Sequence, residues 1–307
     1  TDEMFCFQCQ QTAHNEKCNG KAGVCGKKSD TAKAQDELIG ALIGLAKAAE
    51  YGTPTDSTDR LVLKGLFTTI TNVNFNTHTV KELTAEVKND KRRIYKNPVD
   101  DYELSRLWEA GEDIRSLKSL ILFGIKGMAA YAYHALALGK TDSEINAFFY
   151  TALRAIEGEN DPDKLLRLVL KTGEVNFKCM ALLDNANTES YGDPVPTVVP
   201  LTIEKGPFIV VSGHDLHDLK LLLEQTEGKG INIYTHSEML PAHGYPGLKK
   251  YKHLKGNFGT GWQNQQSEFH NIPAPILFTT NCIMPVRQSY SDRVFTTSVV
   301  SYPELVH

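Results

Sequence analysis

The sequence lacks a surplus of basic residues. Lys and Arg total 33 against 37 Asp and Glu, which gives a net charge of −4 over 307 residues. A protein that binds the phosphates of nucleic acid needs a basic stripe. The most basic run, 88–96, contains Asp90 and is typical of a solvated helix end. We therefore expect no nucleic-acid partner.

Several catalytic and targeting motifs are also missing. The chain has no glycine-rich phosphate loop, no G-x-G-x-x-G after a strand and no G-x-S-x-G. His214 and His217 form an H-x2-H pair, but no H-E-x-x-H motif follows, so a zinc hydrolase is not favoured. Nothing before Cys6 has the pattern of a secretory signal. We expect a cytoplasmic protein with reduced thiols.

One apolar stretch, 120–138, has about the length of a membrane span. Lys126 and His134 lie within it, and an unpaired lysine is costly in lipid. A helix that is apolar all round also occurs in the middle of a helical bundle. The stretch therefore predicts a buried helix and no membrane partner.

Cysteine is scarce, but four of the six cysteines are close together in the sequence: Cys6, Cys9, Cys18 and Cys25. Their spacing, C-x2-C-x8-C-x6-C, lets four thiolates close around one soft metal centre. Nearby glycines let backbone N–H groups approach the sulfurs, as an iron–sulfur cluster requires. A zinc site remains an alternative, although it usually has two C-x2-C knuckles. Disulfides are the third possibility, and the lack of a signal disfavours them.

The periodicity of the chain changes near residue 200. Before it, apolar residues such as Leu38, Leu42 and Leu45 recur at helical spacing, and a break at Pro98 divides these helices into two bundles. After it, strand, helix and strand indicate a βαβ unit and a parallel sheet. We predict a multidomain α and α/β protein with three parts: a cysteine-rich segment at 1–28, a helical-bundle domain at 29–200 and a Rossmann-like domain at 201–307.

Three residue types that bind metals follow three predicted strands. His214 follows the strand at 208–211, Glu238 follows the next strand, and Cys282 follows the third. Because ligands bind beyond the carboxyl ends of parallel strands, these side chains should gather at one edge of the sheet. Histidine, glutamate and cysteine together can bind iron, nickel or zinc. Taken singly, they can also be a helix cap, a surface carboxylate and a small buried side chain.

Six sequence segments resemble the hybrid-cluster protein family, also called prismane proteins or hydroxylamine reductases. The first is F-C-F-Q-C-Q-Q-T-A with G-V-C-G-K after it, and the last is T-T-N-C, which ends at Cys282. Between them the similar segments are 65–72, 180–184, 212–216 and 234–242. The resemblance covers nearly the whole chain.

The resemblance implies two metal centres and an oxidoreductase. Cys6, Cys9, Cys18 and Cys25 would bind a [4Fe-4S] cluster, with [2Fe-2S] as the alternative. His214, Glu238 and Cys282 match three ligand positions of a hybrid iron–sulfur–oxygen cluster, the catalytic centre of the family. The implied substrates are hydroxylamine, reduced to ammonia, and nitric oxide, reduced to nitrous oxide. A reductase would be the electron donor.

The resemblance also implies that part of the family's fold is absent. Its members continue into a second α/β domain that supplies further cysteines and a glutamate, whereas this chain ends at His307 with no cysteine after Cys282. The hybrid cluster would be complete only with ligands missing from this chain, supplied by another chain. An alternative is a non-catalytic electron-transfer or cluster-binding fragment.

Overall fold

The computed structural model describes residues 4–10 and 12–307. Within it the chain forms two compact units. The first comprises residues up to Ile70 together with Asn76–Asp184, and the second comprises Thr71–Phe75 together with Asn185–His307. Residues 1–3 and Gln11, which belong to the predicted cysteine-rich segment, lie outside the described residues.

The first unit is helical. After a 3-10 turn at Ala13–Asn15, its helices are α1 (Ser29–Ala48), α2 (Asp56–Thr68), α3 (Thr77–Ile94), α4 (Ser105–Trp108), α5 (Glu112–Ala137), α6 (Ser143–Gly158) and α7 (Pro162–Tyr191), the last of which runs on into the second unit. Helix α1 is buried on all sides over 38–46 because it contacts both α3 and α6. Helix α5 contacts α2 and α6 in the same way.

These helices share one hydrophobic core, so the prediction of two bundles divided near Pro98 is wrong. Buried residues from Ala34 to Cys179 form a single cluster. The segment after Pro98 packs onto α1 instead of separating the helices: the Tyr102 N–H donates to the Gly40 carbonyl at 3.1 Å. Lys91 of α3 donates to the carbonyl of Val99 at 2.6 Å. The proline therefore ends α3 without dividing the core.

Helix α5 is the long apolar helix of the sequence. Among the described residues, it has the length and apolar composition that could cross a membrane. Within the fold, 44% of its most apolar 18-residue window is buried. Ile121, Leu122 and Ile125 are fully buried in the shared core. Lys126, which is 3% exposed, donates a hydrogen bond to the Gln8 carbonyl at 3.3 Å. These are the contacts of a core helix.

The second unit is built on a five-stranded parallel sheet. Its strands are β1 (Phe208–Ser212), β2 (Asn232–His236), β3 (Leu254–Asn257), β4 (Ile276–Phe278) and β5 (Val294–Thr296), in the order β3-β2-β1-β4-β5. Its helices are α8 (Leu216–Thr226), α9 (Pro246–Lys249) and α10 (Gln265–Glu268), with 3-10 turns at Ser237–Gly244, Trp262–Asn264 and Ser291–Arg293. The prediction of a helical domain followed by a Rossmann-like parallel sheet is confirmed.

The second unit takes five residues from far upstream. In the segment 71–75, Asn72 forms two hydrogen bonds with Ile283. The Asn72 side-chain amide donates to the Ile283 carbonyl at 2.9 Å, and the Asn72 backbone carbonyl accepts from the Ile283 N–H at 2.8 Å. The Phe75 N–H donates to the Ser301 carbonyl at 2.8 Å. These hydrogen bonds hold the segment 71–75 in the second unit, and α2 ends before it, at Thr68.

The second unit also begins earlier than the predicted boundary at 200. Tyr191 is buried, and its ring packs edge-on against Tyr245 with centroids 6.0 Å apart. The Val195 N–H donates to the Gly244 carbonyl, and the Asn257 N–H donates to the Pro200 carbonyl, both at 2.9 Å. The segment 191–200 therefore contacts the rest of the sheet unit at Tyr191, Val195 and Pro200.

Gly40 allows a close approach between α1 and the segment that follows Pro98. A Cβ atom at this position would lie 2.1 Å from the Tyr102 carbonyl oxygen. Because that oxygen belongs to backbone, it cannot turn away. Gly40→Ala is expected to lower the free energy of unfolding by about 3 kcal/mol, as overpacking of a close-packed core does. Urea unfolding measures the loss.

Gly127 of α5 provides the matched control. It also lies inside a helix, but it is exposed and a Cβ there would meet nothing within 4 Å. Gly127→Ala is expected to raise the free energy of unfolding by about 0.5–1 kcal/mol, through helix propensity alone. Equal effects of the two substitutions would contradict the steric explanation.

Candidate metal centres

The four N-terminal cysteines lie on one folded loop. Cys6 and Cys18 are paired as an antiparallel bridge, in which each N–H donates to the other carbonyl at 3.0 Å. Both are buried, whereas Cys9 and Cys25 are partly exposed, and all four are free thiols. The bridge brings the first and third cysteines side by side although they are twelve positions apart in the sequence.

A tight turn carries the fourth cysteine. The Gly26 N–H donates to the Gly23 carbonyl at 2.9 Å, and the Gly23 N–H donates to the Lys27 carbonyl at 2.8 Å, so the backbone wraps around Cys25. Gly26 has φ +89°, a left-handed conformation that glycine adopts without strain. The turn accounts for the glycines that the sequence places around Cys25.

A network of polar side chains from α1 and α5 contacts the loop through Gln8 and Lys27. Lys126 donates to the side-chain oxygen of Gln8, and the Gln8 amide donates to Asp36. Lys27, which is 2% exposed, donates to the side chain of Gln35, which is fully buried. The sequence did not identify this network, because α5 supplies Lys126 from 118 positions beyond Gln8.

Burial and the Lys27 ammonium have opposite effects on the pKa of the Cys6 thiol of the loop. Burial raises the pKa of the Cys6 thiol, and the Lys27 ammonium opposes that rise. Burial also raises the pKa of Asp36 to about 6 and lowers that of Lys126 to about 7. Four thiolates in one loop carry several negative charges, which the Lys27 ammonium, and Lys126 when it is protonated, would offset.

These observations fit an iron–sulfur cluster. Four free thiols in one loop are the donor set that such a cluster needs, and the backbone hydrogen bond from Gln8 to the Cys6 thiol and the glycine turn at Cys25 are typical of its surroundings. When bound, the cluster supplies one-electron transfer. Cys6, Cys9, Cys18 and Cys25 are the residues that would hold it.

The second candidate centre lies at the carboxyl edge of the sheet. Ser212, His236 and Phe278, the last residues of three neighbouring strands, are level with one another in the register. The strand order reverses between β1 and β4, which is the position where open parallel sheets bind their ligands. The segments that follow these strands carry the predicted histidine, glutamate and cysteine.

His214 is placed by the loop that follows β4. Its Nδ1 lies 3.0 Å from the Asn281 carbonyl, and its N–H donates to Thr280 Oγ1 at 2.8 Å. Because a carbonyl oxygen only accepts, Nδ1 carries the proton and Nε2 keeps its lone pair. An exposed imidazole oriented in this way is ready to act as a metal ligand through Nε2.

Glu238 and Cys282 lie close enough to influence each other. Burial, and to a lesser degree the Glu238 carboxylate, raise the pKa of the Cys282 thiol to about 11, while the Asn281 amide lowers it. The Ser237 hydroxyl donates to Glu238 at 2.5 Å. Gln265 holds the backbone of Cys282 by donating to its carbonyl at 2.9 Å. His214 contacts the carbonyl of Asn281, the residue before Cys282, so the segments that follow β1, β2 and β4 lie near one another at this edge of the sheet.

His236 and His243 flank Glu238 in the sequence, but their side chains form hydrogen bonds with other residues. His236 contacts Glu268 at 2.9 Å and Ser212 at 3.0 Å, and His243 contacts Thr235 at 2.8 Å. Glu268 is a site residue that sequence reasoning missed, because α10 has too few residues to produce a periodic pattern. Burial lowers the pKa of His236, against the effect of the Glu268 carboxylate.

His217 belongs to a different group. Asp215, His217 and Asp218 each have a ligand atom within 4.8 Å of the others. Asp215 is the N-cap of α8, and its carboxylate accepts from the N–H groups of His217 and Asp218 at 2.9 and 3.2 Å. Helix capping accounts for the position of this aspartate.

A four-thiol loop on a helical unit, in a chain that also has a parallel sheet with His, Glu and Cys after the strands at its switch point, is the arrangement expected of an iron–sulfur protein of mixed α and α/β fold. The chain belongs to the Prismane/CO dehydrogenase family, whose model matches residues 4–307. It is similar to proteins named hydroxylamine reductase. One from Thermodesulfovibrio yellowstonii is 48% identical, and one from Solidesulfovibrio magneticus is 47% identical.

Each alignment covers 99% of this chain and 62% of the relative, so the chain spans less than two thirds of their length. The first alignment runs over 336 positions, so at least 29 of them lack a residue of this 307-residue chain. Among solved structures, carbon monoxide dehydrogenase IV from Carboxydothermus hydrogenoformans is 16% identical, with a TM-score of 0.41, over 99% of this chain and 51% of that one.

Proposed function

We propose that this chain is the cluster-binding part of a hydroxylamine reductase-type oxidoreductase. The observation that carries the proposal is the loop of four free cysteines above buried Lys27 and Lys126, in a chain whose relatives are named hydroxylamine reductase. We assign to that loop a [4Fe-4S] cluster, with [2Fe-2S] as the alternative, that accepts electrons and passes them on.

The catalytic residues proposed are His214, Glu238 and Cys282. They would hold the hybrid iron–sulfur–oxygen cluster, at which hydroxylamine is reduced to ammonia or nitric oxide to nitrous oxide. His214 offers Nε2, and Asn281 keeps its ring in that orientation. Gln265 fixes the Cys282 backbone. The chain's contribution to the chemistry is thus an oriented donor set at the sheet edge.

A second candidate is a non-catalytic electron-transfer module. It is favoured by the number of donors, because three protein ligands make an incomplete shell for a multinuclear centre and incomplete sites lose affinity steeply. In that case, the remaining ligands would come from a chain that supplies the second α/β domain. We also propose a reductase as electron donor and a cytoplasmic location, consistent with six free cysteines.

Iron and acid-labile sulfide analysis of anaerobically purified protein tests the proposal, together with EPR after reduction. About four irons with a single cluster signal are expected for the module, and about eight with a second signal for the enzyme. Hydroxylamine-dependent oxidation of a reduced dye then separates the two in cluster-loaded samples. Zinc without iron or colour would refute both.

A further inference from the structure

A groove of about 690 Å³ opens on the helical unit at the loop that carries Cys25. Gly26, the residue after Cys25, lines the groove. Ala22 and Lys28, whose backbones pair as an isolated bridge, line it as well. The groove therefore reaches the backbone that would hold the fourth ligand of the cluster.

The groove is basic although the chain as a whole is acidic. Its lining includes two carboxylates, from Asp30 and Glu37, against four exposed lysines: Lys21, Lys28, Lys33 and Lys81. The chain has a net charge of −4. The N-terminus of α1 also opens here, and its N-cap residue has no capping side chain, so the positive end of the helix dipole adds to the field.

An exposed apolar side chain lies next to the cysteine itself. Val24 is 69% exposed and immediately precedes Cys25, which is only partly buried. A small apolar contact beside a mainly basic groove is typical of surfaces that bind an acidic redox partner briefly, because charge steers the encounter and little area is buried.

We propose that this groove is the docking site of an acidic electron-carrier protein. The proposal rests on the cluster proposed above. The reduced carrier, a protein with a flavin or iron–sulfur group beneath an acidic surface, loses one electron and the cluster held in part by Cys25 gains it. No bond is made or broken. Carboxylates of the carrier pair with Lys21, Lys28 and Lys81, which orients its redox group toward Val24 and Cys25.

The test uses an acidic plant-type ferredoxin as the probe. Its binding to the protein is measured by calorimetry at low and high salt, and the rate of cluster reduction by stopped flow. The variant is Lys28→Glu with Lys81→Glu. The control is Lys96→Glu. Lys96 is an exposed lysine just beyond the end of α3, about 20 Å along the helix axis from Lys81.

We expect the double variant to bind ferredoxin at least about tenfold more weakly at low salt, and to be reduced correspondingly more slowly. Salt should weaken binding by the wild type and have little effect on the variant. Reduction by methyl viologen, a small cation that needs no docking site, should be the same in both. The Lys96→Glu protein should bind ferredoxin like the wild type.

Equal binding of ferredoxin by the wild type and the double variant would overturn the proposal. So would an equal loss in Lys96→Glu, because net charge alone would then explain the effect. Iron analysis of the same samples reports separately on the proposed function. Salt-dependent binding at the lysines in protein without iron would refute the cluster and leave the docking surface standing.

Discussion

Cys9→Ala is expected to remove the iron bound by the N-terminal loop. Cys9 belongs to the loop's C-x2-C knuckle with Cys6, and with the thiolate lost the remaining three make an incomplete shell. Iron and sulfide per chain should fall by the content of one cluster. The sheet unit should stay folded, because all five strands of its sheet lie within that unit.

Cys179→Ala is the control. Cys179 is a free cysteine buried in the helical core, where its thiol lies 3.6 Å from the Met128 carbonyl, away from the N-terminal loop in sequence. Its replacement should cost about 1 kcal/mol of stability and no iron. Full iron content in the Cys9→Ala protein would contradict the assignment of the loop.

Gly213→Ala is expected to destabilise the sheet unit by about 4 kcal/mol, the sum of backbone strain and overpacking. Gly213 has φ +114°, and a Cβ there would lie 2.3 Å from Thr279 Oγ1 and 2.7 Å from the Thr280 nitrogen. Thr280 also accepts the hydrogen bond from the His214 N–H, so the added methyl group displaces the histidine that follows it. Urea unfolding and the metal content of the second site report the two effects.

Gly206→Ala is the control that measures backbone strain without a steric clash. Gly206 has φ +127°, equally unfavourable for alanine, but a Cβ there would meet nothing within 4 Å. Its replacement should cost about 1–2 kcal/mol, from the backbone alone. If the two substitutions had equal effects, the contact with Thr279 and Thr280 would not be the reason that β1 is followed by glycine.

Much of the fold could be predicted because periodicity is a local property. The helices of the first unit and four of the five strands follow from their apolar spacing. Strand β3 does not, because Leu254 is its only large apolar residue and its register with β2 shifts between Ile233 and Tyr234. The end of α2 cannot be read from spacing either. Val73 and Phe75 continue the helical spacing of α2, but hydrogen bonds to distant residues determine their backbone conformation.

The same distinction between local sequence patterns and tertiary contacts applies to the candidate sites. His214, Glu238 and Cys282 could be placed at one edge because each follows a strand and parallel strands end together. The side chains that support them could not be. Gln265 reaches Cys282 from a helix of four residues, and Lys126 reaches Gln8 across 118 positions of sequence. Such partners depend on tertiary packing, which no local pattern records.

The segment 71–75 has a consequence for how the chain can be cut. The polypeptide passes between its two compact units three times, after residues 70, 75 and 184. A protease that nicks the chain near 185–206 would therefore leave two pieces that still share hydrogen bonds at Asn72 and Phe75. During synthesis this segment is made more than 200 residues before Ile283, so its hydrogen-bonding partner does not yet exist when the segment leaves the ribosome. A recombinant fragment beginning at 185 would lack it, and adding a peptide of residues 71–75 is the natural way to restore the missing pairing.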